Sequence, residues 1–185
     1  MHLLTSRLLL RDFVPDDWPA VLAYQRDPRY LRLYEWTKRS EEDVRAFVAM
    51  FVAQQQERPR TRFQLAITRR DDGRLIGNCG IRLAAPAAHR AEIGYELAPD
   101  EWGHGYATEA ARAIVQFGIA ELGVTRLEAW TVADNGASAR VLTKLGFVAE
   151  GRLPQYHYYK GRHWDAVVYG RVIREESTDY TDYTD

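Results

Sequence analysis

The chain has 185 residues, of which 46% are hydrophobic and 28% charged, so its length suits one domain and its composition excludes a wholly disordered or fibrous chain. Twenty-five basic residues against 26 acidic ones give a formal charge of −1. Because a protein that binds nucleic acid by neutralising phosphates normally has a basic excess, we expect no nucleic-acid partner.

Cysteine usage and the N-terminal sequence favour a cytoplasmic protein. Cys79 is the single cysteine, so no disulfide can form within the chain. Arg7 and Arg11 flank a short run of leucines, which argues against a secretory leader, and no apolar run approaches the roughly 20 residues that span a bilayer. We expect one domain over residues 1–174, no membrane partner, and a polar, disordered tail over 175–185.

Apolar periodicity and turn residues predict a mixture of helices and strands. Three local signals are clear: Ser40 before three acids starts a helix, Asp71-Asp72-Gly73 forms a hairpin turn, and Gly123 ends a strongly amphipathic helix. A loop rich in tyrosine and histidine is expected between the last two strands. In chain order the predicted elements are strand 6–14, helix 15–27, helix 40–57, strands 62–67, 75–83 and 91–97, helix 107–122, strand 126–132, helix 134–146, a strand from 147 and strand 164–172.

Residues 102–108 (WGHGYAT) form a candidate phosphate-binding loop between a strand and a helix. Glycines allow a ligand to approach the backbone closely, and the free N–H groups and positive dipole end of a helix attract anions. A turn that merely enters a helix would have the same sequence. Two nucleotide-binding motifs fit poorly, because a P-loop needs Gly-Lys-Ser/Thr and a dinucleotide fingerprint needs Gly or Ala where Thr108 stands.

A second helix start lies at Asn135, and Ser138 follows three residues later. Ser138 shares a helical stripe with Val141, Leu142 and Leu145, which predicts that its hydroxyl points inward. Such a hydroxyl could donate to a buried group, or Asn135 could be an ordinary helix cap and Ser138 could satisfy a nearby backbone group.

Taken in order, these motifs resemble the GNAT superfamily of acyl-CoA N-acyltransferases, and more narrowly its RimJ/RimL-like branch, which includes ribosomal-protein N-terminal acetyltransferases. The resemblance covers roughly residues 5–174 and rests on SRLLLR at 6–11, AEIGYEL at 91–97, WGHGYATEA at 102–110, Asn135-x-x-Ser138, and KLGF with EG at 144–151. One departure is Trp102, which stands where the diphosphate motif of the superfamily usually opens with Gln or Arg.

The resemblance implies an α/β fold with a central, mostly antiparallel sheet in which strand 92–98 splays from strand 126–132. It implies that acetyl-CoA is the cosubstrate and that its pantetheine arm lies in that gap. The residues implied to bind it are Leu97 and Ala98 along the strand, the amides of His104, Gly105, Tyr106, Ala107 and Thr108 at the diphosphate, and Asn135 and Ser138 beside the pantetheine and thioester.

Acyl transfer to an amine requires a neutral nitrogen, a held thioester, donors for the developing oxyanion and an acid for the leaving thiolate. An α-amino group with a pKa of ~7.7–8.0 is partly neutral at pH 7, whereas a lysine amine near ~10.4 costs an extra ~3–4 kcal/mol. We therefore favour a protein or peptide N-terminus as the acceptor, attacked directly in a ternary complex. Small amines such as polyamines, amino acids or aminoglycosides stay open, and so does a non-catalytic module that binds acetyl-CoA or a nucleotide.

Three residues are candidates for the catalytic roles. Glu92 is the first candidate base, because its strand should border the cofactor groove, although a solvated strand carboxylate would have the same sequence. His157 is the second candidate, because an imidazole titrates near the working pH, although it could be an ordinary loop histidine. In many superfamily members the acid that protonates the leaving thiolate is a tyrosine in the helix after the second motif. Residues 140–145, which form that segment here, contain no tyrosine, so Ser138 is the candidate donor.

An aromatic cluster is expected to form the acceptor pocket, although aromatic residues in such segments are as often packing. In this cluster Tyr30, Tyr34 and Trp36 are expected to face Tyr156, Tyr158 and Tyr159. The five histidines show no metal-ligand spacing, so we predict no metal. Exposed aromatic residues and the habit of the branch are also compatible with a homodimer.

Overall fold

The computed structural model describes residues 1–173 of the chain, so the predicted tail lies outside the described residues. It contains eight strands and five α-helices, with short 3-10 turns at Pro15–Asp17 and Pro99–Glu101. The elements are β1 (His2–Leu4), β2 (Leu8–Asp12), α1 (Trp18–Gln25), α2 (Pro28–Leu31), α3 (Glu41–Gln54), β3 (Arg62–Arg69), β4 (Leu75–Leu83), β5 (Arg90–Leu97), α4 (Tyr106–Leu122), β6 (Arg126–Val132), α5 (Gly136–Lys144), β7 (Val148–Tyr159) and β8 (Arg162–Val172).

The eight strands form one sheet in the order β1-β2-β3-β4-β5-β6-β8-β7. Every neighbouring pair is antiparallel except β5 and β6, which run parallel and pair only between Arg90–Glu92 and Arg126–Glu128. Beyond Glu92 the two strands separate, and a gap opens in the middle of the sheet. The predicted fold, a mostly antiparallel sheet with one splayed parallel pair, is confirmed.

Helices cover both faces of the sheet and divide the core into two clusters. On one face, Ala110, Ala111 and Ile114 of α4 pack with Ile81 and Leu127 of the sheet. On the other face, α1, α2 and α3 enclose a second cluster that contains Phe13, Tyr24, Tyr30, Val44 and Phe51. Because side chains alternate along a strand, β5 contributes to both faces, and Ile93, Tyr95 and Leu97 face the α4 cluster.

The local signals of the sequence have the expected effects. Ser40 caps α3 by accepting from the Asp43 amide at 3.1 Å, while the Asp43 carboxylate accepts from the Ser40 amide at 2.8 Å. Gly73 in the hairpin turn has φ 71°, and Gly123 ends α4 with φ 65°. All three positions follow the predicted chemistry.

Three features differ from the sequence prediction. A short edge strand, β1, precedes the predicted first strand, and a four-residue helix, α2, begins at Pro28, where Asp27 caps it by accepting from the Arg29 amide at 2.8 Å. The predicted tyrosine- and histidine-rich loop is instead part of β7. It pairs with β8 through a tight turn in which Lys160 and Gly161 both have positive φ, and two such central residues suit the right-handed twist of a hairpin.

Candidate active site

The main chain of β5 offers unpaired groups along the gap. The Ala98 amide donates to the Ile76 carbonyl at 2.7 Å, and the Ala84 amide donates to the Arg90 carbonyl at 3.0 Å. These two hydrogen bonds show that the even-numbered residues of β5 direct their main-chain N–H and C=O groups towards β4. The main-chain groups of Tyr95 and Leu97 therefore point the other way, towards the side from which β6 has separated. The Leu97 carbonyl accepts from the Trp102 indole at 3.0 Å, which leaves the Leu97 N–H and the Tyr95 groups facing the gap.

A cleft of about 570 Å³ extends from this gap. It has the size of a small-molecule site, and segments from four parts of the chain line it. They are the segment from Arg29 to Tyr34, the end of β5 from Tyr95 to Leu97, the loop and helix start at residues 101–108, and the start of α5 with the residues before it, Asp134 to Lys144. Of the two strand residues predicted to bind the cosubstrate, Leu97 lines the cleft, whereas Ala98 does not and uses its amide to pair with β4.

The loop before α4 has the conformation that an anion cradle requires. Gly103 and Gly105 have φ of 81° and 82°, a region that favours glycine, and a side chain built at Gly103 would meet nothing within 4 Å. The first helical hydrogen bond runs from the Glu109 amide to the Gly105 carbonyl at 3.1 Å. The amides of Tyr106, Ala107 and Thr108 therefore have no acceptor within the helix and stand at its positive dipole end.

Arg7 and Glu109 bind each other and hold this loop in place. Glu109 accepts from the Thr5 hydroxyl at 2.6 Å and from the Arg7 amide at 2.9 Å, and it forms an ion pair with the Arg7 guanidinium at 2.6 Å. Burial alone would raise the pKa of Glu109, but the hydrogen bonds from Thr5, Arg7 and Ser6 outweigh it and lower the pKa to about 2. Arg7 also donates to the His104 carbonyl at 3.0 Å and lies 4.5 Å from the centre of the Tyr106 ring.

The five loop residues predicted to bind the diphosphate are not equivalent. Gly105, Tyr106, Ala107 and Thr108 line the cleft, whereas His104 does not. The imidazole of His104 stacks on Tyr106 with ring centres 5.7 Å apart, and its carbonyl is held by Arg7.

Ser138 lies in the cleft, and a tyrosine that the sequence analysis had not selected holds its hydroxyl. Asn135 caps α5 by accepting from the Ser138 amide at 3.1 Å, as predicted for a helix start. Across the gap, the Tyr95 hydroxyl is 3.0 Å from the Ser138 hydroxyl and 3.1 Å from the Ser138 carbonyl. Burial raises the pKa of the Tyr95 phenol, so this group is a neutral donor at all working pH values.

Glu96 is the centre of a polar cluster on the opposite face of β5, and it lines the cleft. Its Oε1 accepts from the Asn78 amide at 2.6 Å, the Tyr24 hydroxyl at 2.7 Å and the Gln25 amide at 3.0 Å. Its Oε2 accepts from the Tyr30 hydroxyl at 2.5 Å and, at the longer distance of 3.4 Å, from Tyr34. Oε1 is saturated with donors, whereas Oε2 has room for another.

The tyrosines around Glu96 stay protonated. Burial first, and then the charge of Glu96, raise the pKa of Tyr24, Tyr30 and Tyr34 above the usual value for a phenol. The carboxylate is therefore solvated by neutral donors that cannot themselves lose a proton near pH 7. The two other acids that line the cleft differ in this respect, because Glu101 pairs with Arg74 and Asp134 pairs with Arg162.

The two predicted bases lie elsewhere. Glu92 occupies the last position at which β5 and β6 still pair, and its carboxylate accepts from Arg82 at 2.6 Å outside the cleft. His157 is on β7 with its ring 5.2 Å from that of Trp130, and its buried Nε2 has no hydrogen-bond partner within residues 1–173. Glu96, which the sequence analysis missed, is on the same face of β5 as Glu92, so strand alternation offers no signal that separates them.

The structure divides the predicted acceptor aromatics into two groups. Tyr34 lines the cleft and stacks between Tyr30 and Trp36, with ring centres 4.3 and 5.1 Å away, so Trp36 supports the wall from behind. Tyr156 and Tyr158 are 60% and 67% exposed on β7 and do not line the cleft.

The tip of the β7–β8 hairpin instead contacts the segment from Arg29 to Tyr34, which lines one side of the cleft. The Tyr159 hydroxyl donates to the Leu33 carbonyl at 3.0 Å, and the Lys160 amine donates to the Leu31 carbonyl at 2.5 Å. These two bonds attach the hairpin to the segment that carries Tyr30 and Tyr34.

A splayed parallel pair with an amide cradle beside the gap is the arrangement expected of the acyl-CoA N-acyltransferases that the sequence motifs resemble. The family profile described as "Acetyltransferase (GNAT) domain" matches residues 7–148, and the chain belongs to this family. An uncharacterised N-acetyltransferase of Bacillus subtilis (strain 168), YoaA, is 38% identical over 173 residues, which are 93% of this chain and 97% of the relative. The protein is thus an acetyl-CoA-dependent N-acetyltransferase.

Solved structures agree with this fold. A GNAT-family acetyltransferase from Bacillus anthracis superposes with a TM-score of 0.80 at 27% identity, covering 93% of this chain and 98% of the other. RimL, described as a ribosomal L7/L12 alpha-N-protein acetyltransferase in complex with coenzyme A, superposes with a TM-score of 0.82 at 22% identity, covering 94% and 98%. The second likeness bears on the fold alone.

Among residues 1–173, none of the helices combines the length and the apolar character that crossing a bilayer requires. Over the same residues, no three side chains of His, Cys, Asp or Glu converge as metal ligands would.

Proposed function

We propose that this enzyme acetylates the α-amino group at the N-terminus of a protein or peptide, with Glu96 as the general base. The observation that carries the proposal is the position of Glu96, whose carboxylate lines the cleft beside the gap of the sheet and is held there by uncharged donors. The nearby acids Glu101 and Asp134 are neutralised by arginines. Glu96 is therefore the cleft acid best suited to take a proton.

The residues of the cleft fit coenzyme A. The amides of Tyr106, Ala107 and Thr108 and the open space at Gly103 suit a diphosphate, and the free main-chain groups of β5 suit the amide groups of pantetheine. The basic side chains of Arg140 and Lys144 line the same cleft. Bound acetyl-CoA would supply an activated acetyl thioester.

The reaction follows from the placement of two groups. The amine nitrogen forms the new C–N bond, the C–S bond breaks, and its electron pair leaves with sulfur. Glu96 takes the proton that the nitrogen loses, at Oε2, because that oxygen has room for another hydrogen bond. Ser138 donates a hydrogen bond to the developing thiolate, which takes a proton from water after release, since a thiol is a far stronger acid than a serine hydroxyl.

The chemistry of the base favours an α-amino acceptor. A carboxylate is a mild base, sufficient for an amine that is partly neutral at pH 7, whereas a lysine amine costs an additional ~3–4 kcal/mol to deprotonate. The hairpin tip is fixed to the carbonyls of Leu31 and Leu33, in the segment that carries Tyr30 and Tyr34. RimL, a ribosomal L7/L12 alpha-N-protein acetyltransferase that shares this fold, acts on an α-amino acceptor of this kind.

The test is a transfer assay that detects free coenzyme A thiol. Peptides with free N-termini and no lysine are compared with N-terminally blocked peptides that contain one lysine, and with polyamines, amino acids and aminoglycosides. We expect the free N-termini to give the highest kcat/KM. A higher value for any small amine would overturn the peptide assignment, and thermal stabilisation by acetyl-CoA without turnover on any amine would favour the non-catalytic binding module.

A further inference from the structure

We propose that Tyr95 is a positioning residue that orients the Ser138 hydroxyl towards the leaving sulfur; this rests on the role proposed above for Ser138. Tyr95 belongs to β5 and Ser138 to α5, so their contact spans the gap in which the thioester is expected. The contact is made at the wide part of the gap, beyond the last paired residues of β5 and β6.

The geometry restricts the Ser138 hydroxyl to few orientations. The backbone of Ser138 is fixed, because its amide donates to Asn135 at 3.1 Å. A serine hydroxyl and a tyrosine hydroxyl each carry one hydrogen. The Tyr95 hydrogen can be donated either to the Ser138 carbonyl at 3.1 Å or to the Ser138 hydroxyl oxygen at 3.0 Å. The proposal requires the second arrangement, in which the Ser138 hydrogen is free to point into the cleft that both residues line.

Tyr95 is not itself the acid. Burial of its phenol disfavours the charged form, so proton loss from Tyr95 would be costly, whereas donating a hydrogen bond is not. Tyr95 therefore acts through Ser138, and its hydroxyl is the group that matters. The ring packs against the α4 cluster and should keep that role when the hydroxyl is removed.

The first experiment is a kinetic cycle with Tyr95→Phe, Ser138→Ala and the double variant. We expect Tyr95→Phe to lower kcat by roughly tenfold, the effect of one hydrogen bond to a charged group, with the KM for acetyl-CoA within about twofold of wild type. In the Ser138→Ala background the same change should have no further effect. Additive losses, or a loss confined to KM and thermal stability, would show that Tyr95 only holds the two sides of the gap together.

The second experiment requires no acceptor and no turnover. Calorimetry at pH 9, where part of the coenzyme A thiol is ionised, compares the affinities of coenzyme A and desulfo-coenzyme A for each variant. We expect wild type to prefer coenzyme A by roughly fivefold or more, because a hydrogen bond to a thiolate is charge-assisted, and both Tyr95→Phe and Ser138→Ala to lose that preference. Full retention in Tyr95→Phe would overturn the proposal.

Tyr169→Phe is the matched control, since Tyr169 is a buried tyrosine of the same cluster that does not line the cleft. It should keep the wild-type preference and kcat. The calorimetric test does not depend on the acceptor. If the wild-type enzyme acetylates no peptide N-terminus, the proposed function fails, but the binding preference for coenzyme A still shows whether Tyr95 orients Ser138.

Discussion

Glu92 and Glu96 project from the same face of β5, four residues apart, but only Glu96 lines the cleft. Glu92 sits at the last paired position of β5 and β6 and binds Arg82, whereas Glu96 lies beyond the point where the strands separate. The separation of two strands thus decides which of two identical side chains can meet a substrate.

Replacing the two glutamates with glutamine tests this relationship directly. Glu96→Gln removes the proposed base but keeps the shape of the side chain, and we expect kcat to fall by roughly 10²–10⁴-fold. Glu92→Gln, the matched control on the same face of the strand, should stay within about twofold. Both values come from steady-state kinetics with the best peptide acceptor. Equal losses in the two variants would rule out Glu96 as the base.

Gln25 links Glu96 to Arg39 through two hydrogen bonds. Gln25 is fully buried, donates to Glu96 at 3.0 Å and accepts from Arg39 at 2.9 Å. Gln25→Leu leaves both partners short of a hydrogen bond, and we expect a loss of about 1–3 kcal/mol in the free energy of unfolding, measured by urea denaturation. Gln116→Leu, on the exposed face of α4, is the control and should change it by less than about 0.5 kcal/mol.

Gly105 is expected to be required for cosubstrate binding. Its φ of 82° costs an alanine about 1–2 kcal/mol, and relief of that strain would displace the amides that start α4. Gly105→Ala should therefore raise the KM for acetyl-CoA and reduce the thermal stabilisation by acetyl-CoA. Gly151→Ala, on β7 with open space at the Cβ position, is the control. An unchanged KM in Gly105→Ala would place the diphosphate elsewhere.

Glu109 predicts a dependence of stability on pH. Its pKa is about 2 in the folded protein against 4.5 for the free side chain, so the folded state binds the proton less readily than the unfolded state. The stabilisation is present above about pH 4.5 and is lost as the pH falls towards 2. Wild type should exceed Glu109→Gln in stability at pH 7, and the difference should shrink over that window in denaturation measured at each pH. A difference that is independent of pH would contradict this account.

The two helix starts were predictable because their chemistry is local. A helix N-terminus is defined by consecutive residues, so Gly105 before Tyr106 and Asn135 before Ser138 identify an amide cradle and an inward hydroxyl without knowledge of the sheet. Other interpretations failed where the partner is distant in sequence. The stretch with Tyr156 and Tyr158 lacks a clear strand period, and its pairing with β8 through the Lys160-Gly161 turn makes it an exposed edge strand rather than a pocket wall.

By itself the sequence determined the family, most of the elements in their order and the two helix starts that line the cleft, since each depends on short motifs that carry their own backbone chemistry. Only the tertiary structure decided which of the two β5 carboxylates lines the cleft. The donors that hold Glu96 come from α1, α2 and β4, and the gap beside it exists because β5 and β6 pair over three residues and then diverge. A period of two cannot distinguish Glu92 from Glu96, whereas the point at which two strands separate can.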